Sequence, residues 1–270
     1  NGGSGFNFAG YARKIEPTPH FIEKIQISLQ EEKMDHRKPF MLALICLLAA
    51  GLLFFTQTVS ATTITWTAKN PMATARTWAT AAVANGKIYV FGGLNNTTKL
   101  ASVERYTPST NTWDNRTNMP TPRYGAASVA INHLIYLFGG VNNSNQILNT
   151  VDVYDTTTDQ WSSAANMPTA RCRLAAALAP NGKIYVMGGS TTSTLDLTGH
   201  TAIVEVYDPG TNTWSSAASM ATTRIGLAAA VSGGKIYVFG GHGVPPGYTA
   251  RYLLSVEAYD PSTNTWTNKA

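Results

Sequence analysis

The stretch that decides the fold is LIYLFGG at residues 134–140, followed by VDVY at residues 151–154 and by Trp161. Similar phrases occur four times, with diglycines at residues 92–93, 139–140, 188–189 and 240–241. Five tryptophans recur every 47–53 residues in the same register: Trp66, Trp113, Trp161, Trp214 and Trp266. Self-similarity at a nearly fixed period indicates an array of one supersecondary unit.

Each unit reads as four short strands, a to d, with a tyrosine on strand c and the tryptophan on strand d. Two-residue turns are predicted between strands a and b, because most of their dipeptides accept a positive φ. These turns are Asn85-Gly86, Asn132-His133, Asn181-Gly182 and Gly233-Gly234. Strand a is made almost entirely of small residues, as in AAAL at 175–178. Small residues suit a strand at the centre of radially arranged sheets, so we expect strand a to be innermost.

The diglycine, the spaced tyrosine and tryptophan, and a period close to about 50 residues resemble the kelch-repeat β-propeller family. The resemblance covers residues 62–270 and implies an all-β fold of four complete four-stranded blades plus an orphan N-terminal outer strand at residues 62–67. That strand carries Trp66 with no strands a to c before it, while the last repeat already has Trp266. Since exposed sheet edges are avoided, we expect a C-terminally incomplete propeller of at least five blades.

A sequence pattern in the N-terminal quarter of the chain predicts that the protein is exported. Arg37 and Lys38 precede the apolar stretch MLALICLLAAGLLFF, and Val59 and Ala61 occupy the −3 and −1 positions of a cleavage site. This pattern is typical of a secretory signal peptide at residues 34–61. The alternative is an uncleaved anchor, although a spanning helix needs about 20 apolar residues. We expect a periplasmic, cell-surface or extracellular protein with no stable membrane span after cleavage.

Residues 1–33 have no evident core-forming pattern. The stretch QEEK at residues 30–33 can be encoded only by purine-rich codons, as in a bacterial ribosome-binding site. One interpretation is therefore translated upstream sequence of a bacterial message, with Met34 as the initiator. The alternative is a genuine, disordered polar extension.

Composition excludes several classes of function. The chain is 44% hydrophobic and 13% charged with a net charge of +5, and its basic residues form no run within the repeats, so no nucleic-acid partner is predicted. After signal cleavage, Cys172 is the single cysteine, and we expect it to be a packed residue. His133, His200 and His242 lie in three separate loops, so no metal, cofactor or catalytic residue is predicted.

Four arginines are the most site-like repeated residues. Each lies in a connection from strand d to the next strand a: Arg76, Arg123, Arg171 and Arg224. The resemblance implies that these connections share one face with the b-to-c loops and that ligands bind there, so the arginines are candidates for a basic ring that grips carboxylates or polar sugars. The alternative is internal pairing with the acid two residues before each tyrosine of strand c: Glu104, Asp152, Glu205 and Glu257.

The b-to-c loops differ between repeats, and the longest covers residues 242–254. Its candidate ligand-binding residues are His242, Tyr248, Arg251 and Tyr252; the alternative is a loop that covers the blade edge. The sequence thus predicts an exported binding module that recognises a protein or glycan through one propeller face. A sialic-acid mutarotase-like epimerase, which the resemblance to exported bacterial kelch proteins also allows, is the enzymatic alternative.

Overall fold

The computed structural model describes residues 65–193, 197–245, 247 and 249–269. Contacts divide the chain into two units, Asn1–Trp66 and Thr67–Ala270, and the description below concerns the second. The predicted upstream segment, signal peptide and cleavage site lie outside the described residues. Within the described ranges, no helix has both the length and the hydropathy needed to cross a bilayer.

Blades 1 and 2 are four-stranded antiparallel sheets with short extra strands in their connections. Blade 1 contains β1 (Thr80–Ala84), β2 (Lys87–Phe91), β3 (Leu94–Asn95), β4 (Thr98–Lys99), β5 (Val103–Thr107) and β6 (Thr112–Arg116). Blade 2 contains β7 (Arg123–Tyr124), β8 (Ala127–Ile131), β9 (Leu134–Phe138), β10 (Val141–Asn142), β11 (Val151–Asp155) and β12 (Gln160–Ala164).

Blades 3 and 4 repeat the same sheet. Blade 3 contains β13 (Ala175–Leu178), β14 (Ile184–Met187), a 3₁₀ turn (Leu197–Gly199), β15 (Val204–Asp208) and β16 (Thr213–Ala217). Blade 4 contains β17 (Thr223–Ile225), β18 (Ala228–Ser232), β19 (Lys235–Phe239), β20 (His242–Val244), β21 (Arg251–Tyr252), β22 (Val256–Asp260) and β23 (Thr265–Lys269). All four sheets follow the order a-b-c-d, which confirms the predicted four-stranded unit.

The small-residue strands lie at the centre, as predicted. Strand a of each blade contacts strand a of the next, in the order β1, β8, β13 and β18. Bulkier side chains of strands b and c fill the space between neighbouring sheets, as Tyr89 and Phe91 of blade 1 do against Ile135 and Tyr154 of blade 2. Alanine is therefore selected on strand a by the space near the axis rather than by strand propensity.

The turns between strands a and b agree with the prediction in three blades. Asn85 and Gly86 have φ values of 49° and 68°, and Gly233 and Gly234 have values of 55° and 78°. In blade 3 the prediction of a two-residue turn is wrong, because the Ala179 amide donates to the Lys183 carbonyl (3.0 Å) beyond the Leu178–Ile184 pair and leaves three residues, 180–182, in the turn. Pro180 lies in this longer turn and has no N–H to continue the ladder, which explains why the hairpin opens there.

A repeated clasp joins neighbouring blades near their outer edge. In blade 3, Trp214 Nε1 donates to the carbonyl of Ala165 (2.8 Å), and the Ala165 amide donates to Asn212 Oδ1 (2.8 Å). The hydroxyl of Tyr207 donates to the same Asn212 oxygen at 2.8 Å. The repeated tyrosine and tryptophan are thus parts of one polar joint between consecutive blades. The strand-d tryptophans of blades 1, 2 and 4, Trp113, Trp161 and Trp266, donate in the same way to the carbonyls of Asn70, Thr117 and Ala218.

The orphan strand predicted at residues 62–67 is only partly within the described residues. Residues 65–67 belong to no strand, and Trp66 is 97% exposed. Strands a to c of the blade that Trp66 would complete are not among the described residues.

Candidate functional site

One end of every blade carries both kinds of connection that the sequence singles out. The d-to-a connection pairs with the start of the b-to-c loop in each blade, through Thr77 and Leu94, Tyr124 and Val141, Cys172 and Ser190, and Ile225 and His242. We call this end of the blades the loop face. The pairing supports the expectation that both connections share one face.

The four repeated arginines lie just beneath the loop face and are buried. Arg171 and Arg224 are 0% exposed, and Arg123 is 2% exposed. Arg171 donates to the carbonyls of Gly188 (2.8 Å) and Ile203 (3.2 Å) and to Glu205 Oε2 (2.6 Å). Equivalent ion pairs occur in the other blades: Arg76 with Glu104, Arg123 with Asp152, and Arg224 with Glu257. Internal pairing, the alternative left open by the sequence, is the arrangement observed.

Burial shapes the electrostatics of these pairs. Desolvation lowers the pKa of Arg123 and of Arg171, while Asp152 and Glu205 oppose that shift by stabilising the guanidinium. Each guanidinium already bonds a carboxylate and at least one backbone carbonyl inside its own blade, while the Nε atoms of Arg171 and Arg224 have no hydrogen-bond partner among the described residues. The predicted basic ring therefore receives no support from the positions of these side chains, and ligand binding by them stays a prediction.

Two residues beyond each arginine, the chain forms a hydrogen-bonded row near the axis that we call the rim. It consists of Trp78, Gly125, Arg173 and Gly226. Backbone hydrogen bonds join its members from blade to blade: Gly125 N to Trp78 O (2.9 Å), Arg173 N to Gly125 O (2.7 Å) and Gly226 N to Arg173 O (2.9 Å). All four have a positive φ, between 55° and 65°. Glycine suits that conformation, but tryptophan and arginine do not.

Trp78 and Arg173 are backbone outliers even within this chain. Among the described residues, ten non-glycine residues have a positive φ; eight are Asn or Asp, and the other two are Trp78 and Arg173. Asn and Asp tolerate the left-handed region, whereas a bulky side chain there is unusual. Such conformations cost about 1–3 kcal/mol each and cluster at functional sites.

The side chains of these two outliers meet over the rim. The guanidinium carbon of Arg173 lies 5.6 Å from the centroid of the Trp78 ring, within cation–π range. A Cβ placed on Gly226 would lie 3.9 Å from the Trp78 ring, so the indole extends from blade 1 to blade 4. Arg173 Nη2 also donates to the carbonyl of Ser193 (3.2 Å). Trp78 is 48% exposed and Arg173 is 8% exposed, so half of a large aromatic surface faces solvent above a largely buried guanidinium.

Comparison with known families supports the repeat. Residues 49–223 match the family model described as the KLHDC2/KLHL20/DRC7 Kelch-repeats domain, and residues 223–270 match the Kelch motif. The chain belongs to the kelch-repeat family. Together the two matches extend over all four blades.

Individual relatives match shorter parts of the kelch chain. Kelch-like protein 23 of Mus musculus is 39% identical over 84 residues, which are 31% of this chain and 13% of that protein. The F-box/kelch-repeat protein At1g67480 of Arabidopsis thaliana is 39% identical over 87 residues, or 32% and 22% of the two chains. The chain thus matches less than a quarter of the length of these curated relatives.

A solved structure shares the kelch fold. The protein YjhT superposes with a TM-score of 0.60 and 22% sequence identity, over 75% of this chain and 67% of that chain. At this identity the likeness concerns the fold alone. It confirms a kelch β-propeller architecture, as the sequence predicts.

The longest loop of the kelch propeller contributes an aromatic cluster to the loop face. The His242 ring lies 5.4 Å from the His200 ring and 5.3 Å from the Tyr252 ring, measured between centroids. Tyr252 is 86% exposed, and Arg251 is also exposed. Tyr248, the fourth candidate in this loop, lies outside the described residues. The structure therefore brings together two histidines that the sequence assigns to separate loops.

The described residues of the kelch blades offer few groups suited to metal binding or nucleophilic catalysis. Among the described residues, no three His, Cys, Asp or Glu side chains are grouped as a metal site requires. Cys172 is fully buried, and burial raises the pKa of its thiol, which disfavours the nucleophilic thiolate. Its Sγ contacts the carbonyl of Thr192 at 3.6 Å.

Sequence reasoning missed the two rim residues, Trp78 and Arg173. Trp78 does not belong to the five-tryptophan register, and Arg173 is not one of the four repeated arginines. A signal was nevertheless present: two residues after each repeated arginine the kelch copies read Trp, Gly, Arg and Gly. A position that is glycine in two repeats and bulky in the other two indicates a left-handed backbone. The bulky residues adopt that conformation at a cost in free energy.

Proposed function

We propose that this kelch propeller is a binding module that recognises a protein or glycan partner through its loop face, with Trp78 and Arg173 at the centre of the contact. The observation that carries the proposal is the left-handed backbone of these two bulky residues, at positions where the other two blades have glycine. Kelch-repeat domains generally act as protein-interaction modules, which agrees with this role.

The chemistry of the rim suggests what the partner presents. An exposed indole stacks against aromatic rings or the apolar face of a sugar, and a neighbouring guanidinium pairs with carboxylates. Tyrosine, tryptophan and arginine are the residue types that dominate binding energy in protein interfaces. Arg173 itself is 8% exposed, and Arg251 and Tyr252 add an exposed guanidinium and an exposed phenol on the same face. We therefore expect an acidic peptide segment or an acidic glycan as the ligand.

The test compares binding of the wild-type chain with that of two rim variants. Purified protein is applied to a glycan array and to an array of acidic peptides, and hits are measured by titration. Trp78→Gly and Arg173→Gly give the rim the glycine found in blades 2 and 4, and each should weaken binding at least about tenfold. The matched control is Gln160→Ser, which alters an exposed residue beside the c-d turn, at the opposite end of blade 2 from the loop face.

Folding of the rim variants is checked by denaturant unfolding. Because relief of the left-handed strain opposes the loss of packing, we expect stability changes below about 2 kcal/mol. Binding unchanged in both rim variants would contradict the proposal. Anomer exchange of sialic acid is measured in parallel, and turnover lost with one arginine variant would favour the mutarotase-like alternative.

We also propose that the protein is exported and that its mature form begins at Thr62. The support is the sequence pattern at residues 34–61, with its basic start, apolar stretch and small residues before the cleavage point. Expression of the full sequence in a bacterial host, followed by N-terminal sequencing of the exported fraction, tests this. Protein retained in the cytoplasm, or beginning at another residue, would contradict it.

A further inference from the structure

The a-b and c-d turns lie at the end of each blade opposite the loop face, and between blades 1 and 2 these turns close against each other. Asn85 Nδ2, in the a-b turn of blade 1, donates to Thr156 Oγ1 in the c-d turn of blade 2 at 3.0 Å. The amide and the hydroxyl of Thr156 donate to the carbonyl of His133 (3.0 and 2.8 Å). Thr156 is buried as a result, and the two blades are joined at this end.

Between blades 3 and 4 the equivalent residues of the described turns form no such bond. Pro261 occupies the position that Thr156 has in blade 2, and it has neither an N–H nor a hydroxyl to donate. Asn181, the counterpart of Asn85, uses its side-chain amide within blade 3, where Nδ2 donates to the hydroxyl of Tyr185 (3.0 Å). The turns of these two blades are therefore not joined by these side chains.

A cleft of about 390 Å³ lies between these turns. We call it the turn cleft; its lining consists of residues 180–181 of blade 3 and residues 233–235 and 260–262 of blade 4. Small-molecule sites have volumes from about 300 Å³ upward. The turn cleft is therefore large enough for one small ligand.

Backbone and apolar surface form much of the lining. Gly233 and Gly234 line the turn cleft, and a Cβ on either residue would meet nothing within 4 Å. The space beside their backbone is open, and glycine permits a close approach of a ligand to the main chain. Pro180 and Pro261 add apolar ring surface. A ligand thus meets peptide groups and apolar rings in one small space.

A lysine–aspartate pair gives the turn cleft its polarity. Lys235 Nζ lies 3.2 Å from Asp260 Oδ2, and the two side chains are 40% and 26% exposed. The hydroxyl and the amide of Ser262 donate to Asp260 Oδ1 (2.6 and 3.0 Å), and these bonds lower the pKa of the Asp260 carboxyl to about 2. A charged ligand would be attracted by one member of the pair and repelled by the other. A neutral molecule with neighbouring hydroxyls can donate to the carboxylate and accept from the ammonium.

We propose that the turn cleft binds a neutral sugar. Neighbouring hydroxyls of the sugar bond to Asp260 and Lys235, and the apolar C–H face of its ring packs on Pro261. This role is separate from recognition of a partner at the loop face, which lies at the other end of the blades. It gives the propeller a second site, for uncharged carbohydrate.

The test titrates the full chain, labelled at its glycine nitrogens, with glucose, galactose, mannose and maltose. With at least one of these sugars, the NMR amide signals of Gly233 and Gly234 should move along one saturation curve. The signals of the rim glycines, Gly125 and Gly226, should stay in place. Glucuronate, galacturonate and glucosamine carry a charge and should bind at least about fivefold more weakly than the best neutral sugar.

Variants of the lining identify the site. Pro261→Thr introduces the residue that bonds across blades 1 and 2, and Lys235→Met removes the ammonium. Each should weaken binding of the best neutral sugar at least about fivefold. The matched control, Pro209→Thr, makes the same change in the c-d turn of blade 3, outside the turn cleft, and should bind like the wild type. Denaturant unfolding of each variant confirms that the blades are folded.

Three results would overturn the proposal: no sugar moves the signals of Gly233 and Gly234, the shifts are confined to the rim glycines, or both cleft variants bind like the wild type. Tighter binding of a charged sugar would overturn the assignment to neutral ligands. Because the rim glycines report on the loop face, failure at one end of the blades is distinguishable from failure at the other.

Discussion

The repeated arginines differ from the rim residues, which lie two positions further along the chain, in how much they vary between blades and in their backbone conformation. Arg76, Arg123, Arg171 and Arg224 are alike in every blade, and each is buried in an ion pair inside its own blade. The rim varies between blades, and there Trp78 is half exposed while keeping a left-handed backbone. Each arginine has equivalent partners in its own blade and therefore the same packing role. Its repetition reflects the requirements of the scaffold. Departure from the repeat is the observation that supports the proposed role of Trp78 and Arg173 in binding.

The largest expected effect on stability comes from breaking one of the repeated arginine–carboxylate ion pairs. Arg171→Met leaves the carboxylate of Glu205 buried without its guanidinium, and loss of one partner of a buried pair costs about 3–5 kcal/mol. The free energy of unfolding is measured by urea denaturation. Exposed Lys69→Met is the control and should change it by less than about 0.5 kcal/mol.

A double variant sharpens this result. Arg171→Met combined with Glu205→Leu removes both charges, and apolar replacement of a buried ion pair is often close to neutral. We therefore expect the double variant to recover most of the lost stability. A double variant as unstable as the single one would mean that the hydrogen bonds of Arg171 to Gly188 and Ile203, rather than the ion pair, hold the blade.

A smaller effect on stability compares two glycines, Gly139 at the contact between blades 2 and 3 and Gly226 in the rim. Gly139→Ala places a Cβ 2.2 Å from the backbone oxygen of Arg171, so overpacking adds to left-handed strain and we expect a cost of about 3 kcal/mol. Gly226→Ala meets only the Trp78 ring at 3.9 Å and should cost about 1 kcal/mol. Thermal and urea unfolding of the two variants measure the difference. Equal losses of stability in the two variants would show that the contact between blades 2 and 3 relaxes around the added methyl group.

The last expected effect appears only at alkaline pH. Desolvation by burial raises the pKa of Tyr207 and of Tyr259 to about 12, from an ordinary value of 10.0. Because the folded-state pKa is the higher one, this stabilisation is complete below pH 10 and is lost as the pH rises through 12. Ionisation also removes the donor that each hydroxyl gives to Asn212 or Asn264.

Urea unfolding at several pH values checks that expectation. Between pH 10 and 12 the wild-type stability should fall, and the double variant Tyr207→Phe/Tyr259→Phe should fall less steeply. Leu254→Ser, which leaves the clasp intact, should follow the wild type. An identical pH dependence in the tyrosine variant would show that other groups control alkaline unfolding.

The fold was predictable in detail because its signals are local and repeated. Diglycines, turn dipeptides and alternating apolar residues specify each hairpin without reference to distant parts of the chain. The prediction failed at the blade 3 turn, where Pro180 interrupts the ladder next to a dipeptide that otherwise favours a tight turn. The candidate site was less predictable. Arginines were found from their spacing, but spacing does not tell whether a guanidinium faces solvent or a carboxylate two strands away.

By itself, the sequence determined the blade: its four strands, its small inner strand, and the tyrosine, tryptophan and arginine that recur in each copy. Only the tertiary structure decided which of these residues remain available. It buried the four arginines, brought His200 beside His242, and placed Trp78 against Arg173 across the rim. The physical reason is that hairpins form from neighbours in the chain, whereas exposure depends on how blades about 50 residues apart pack around a common axis.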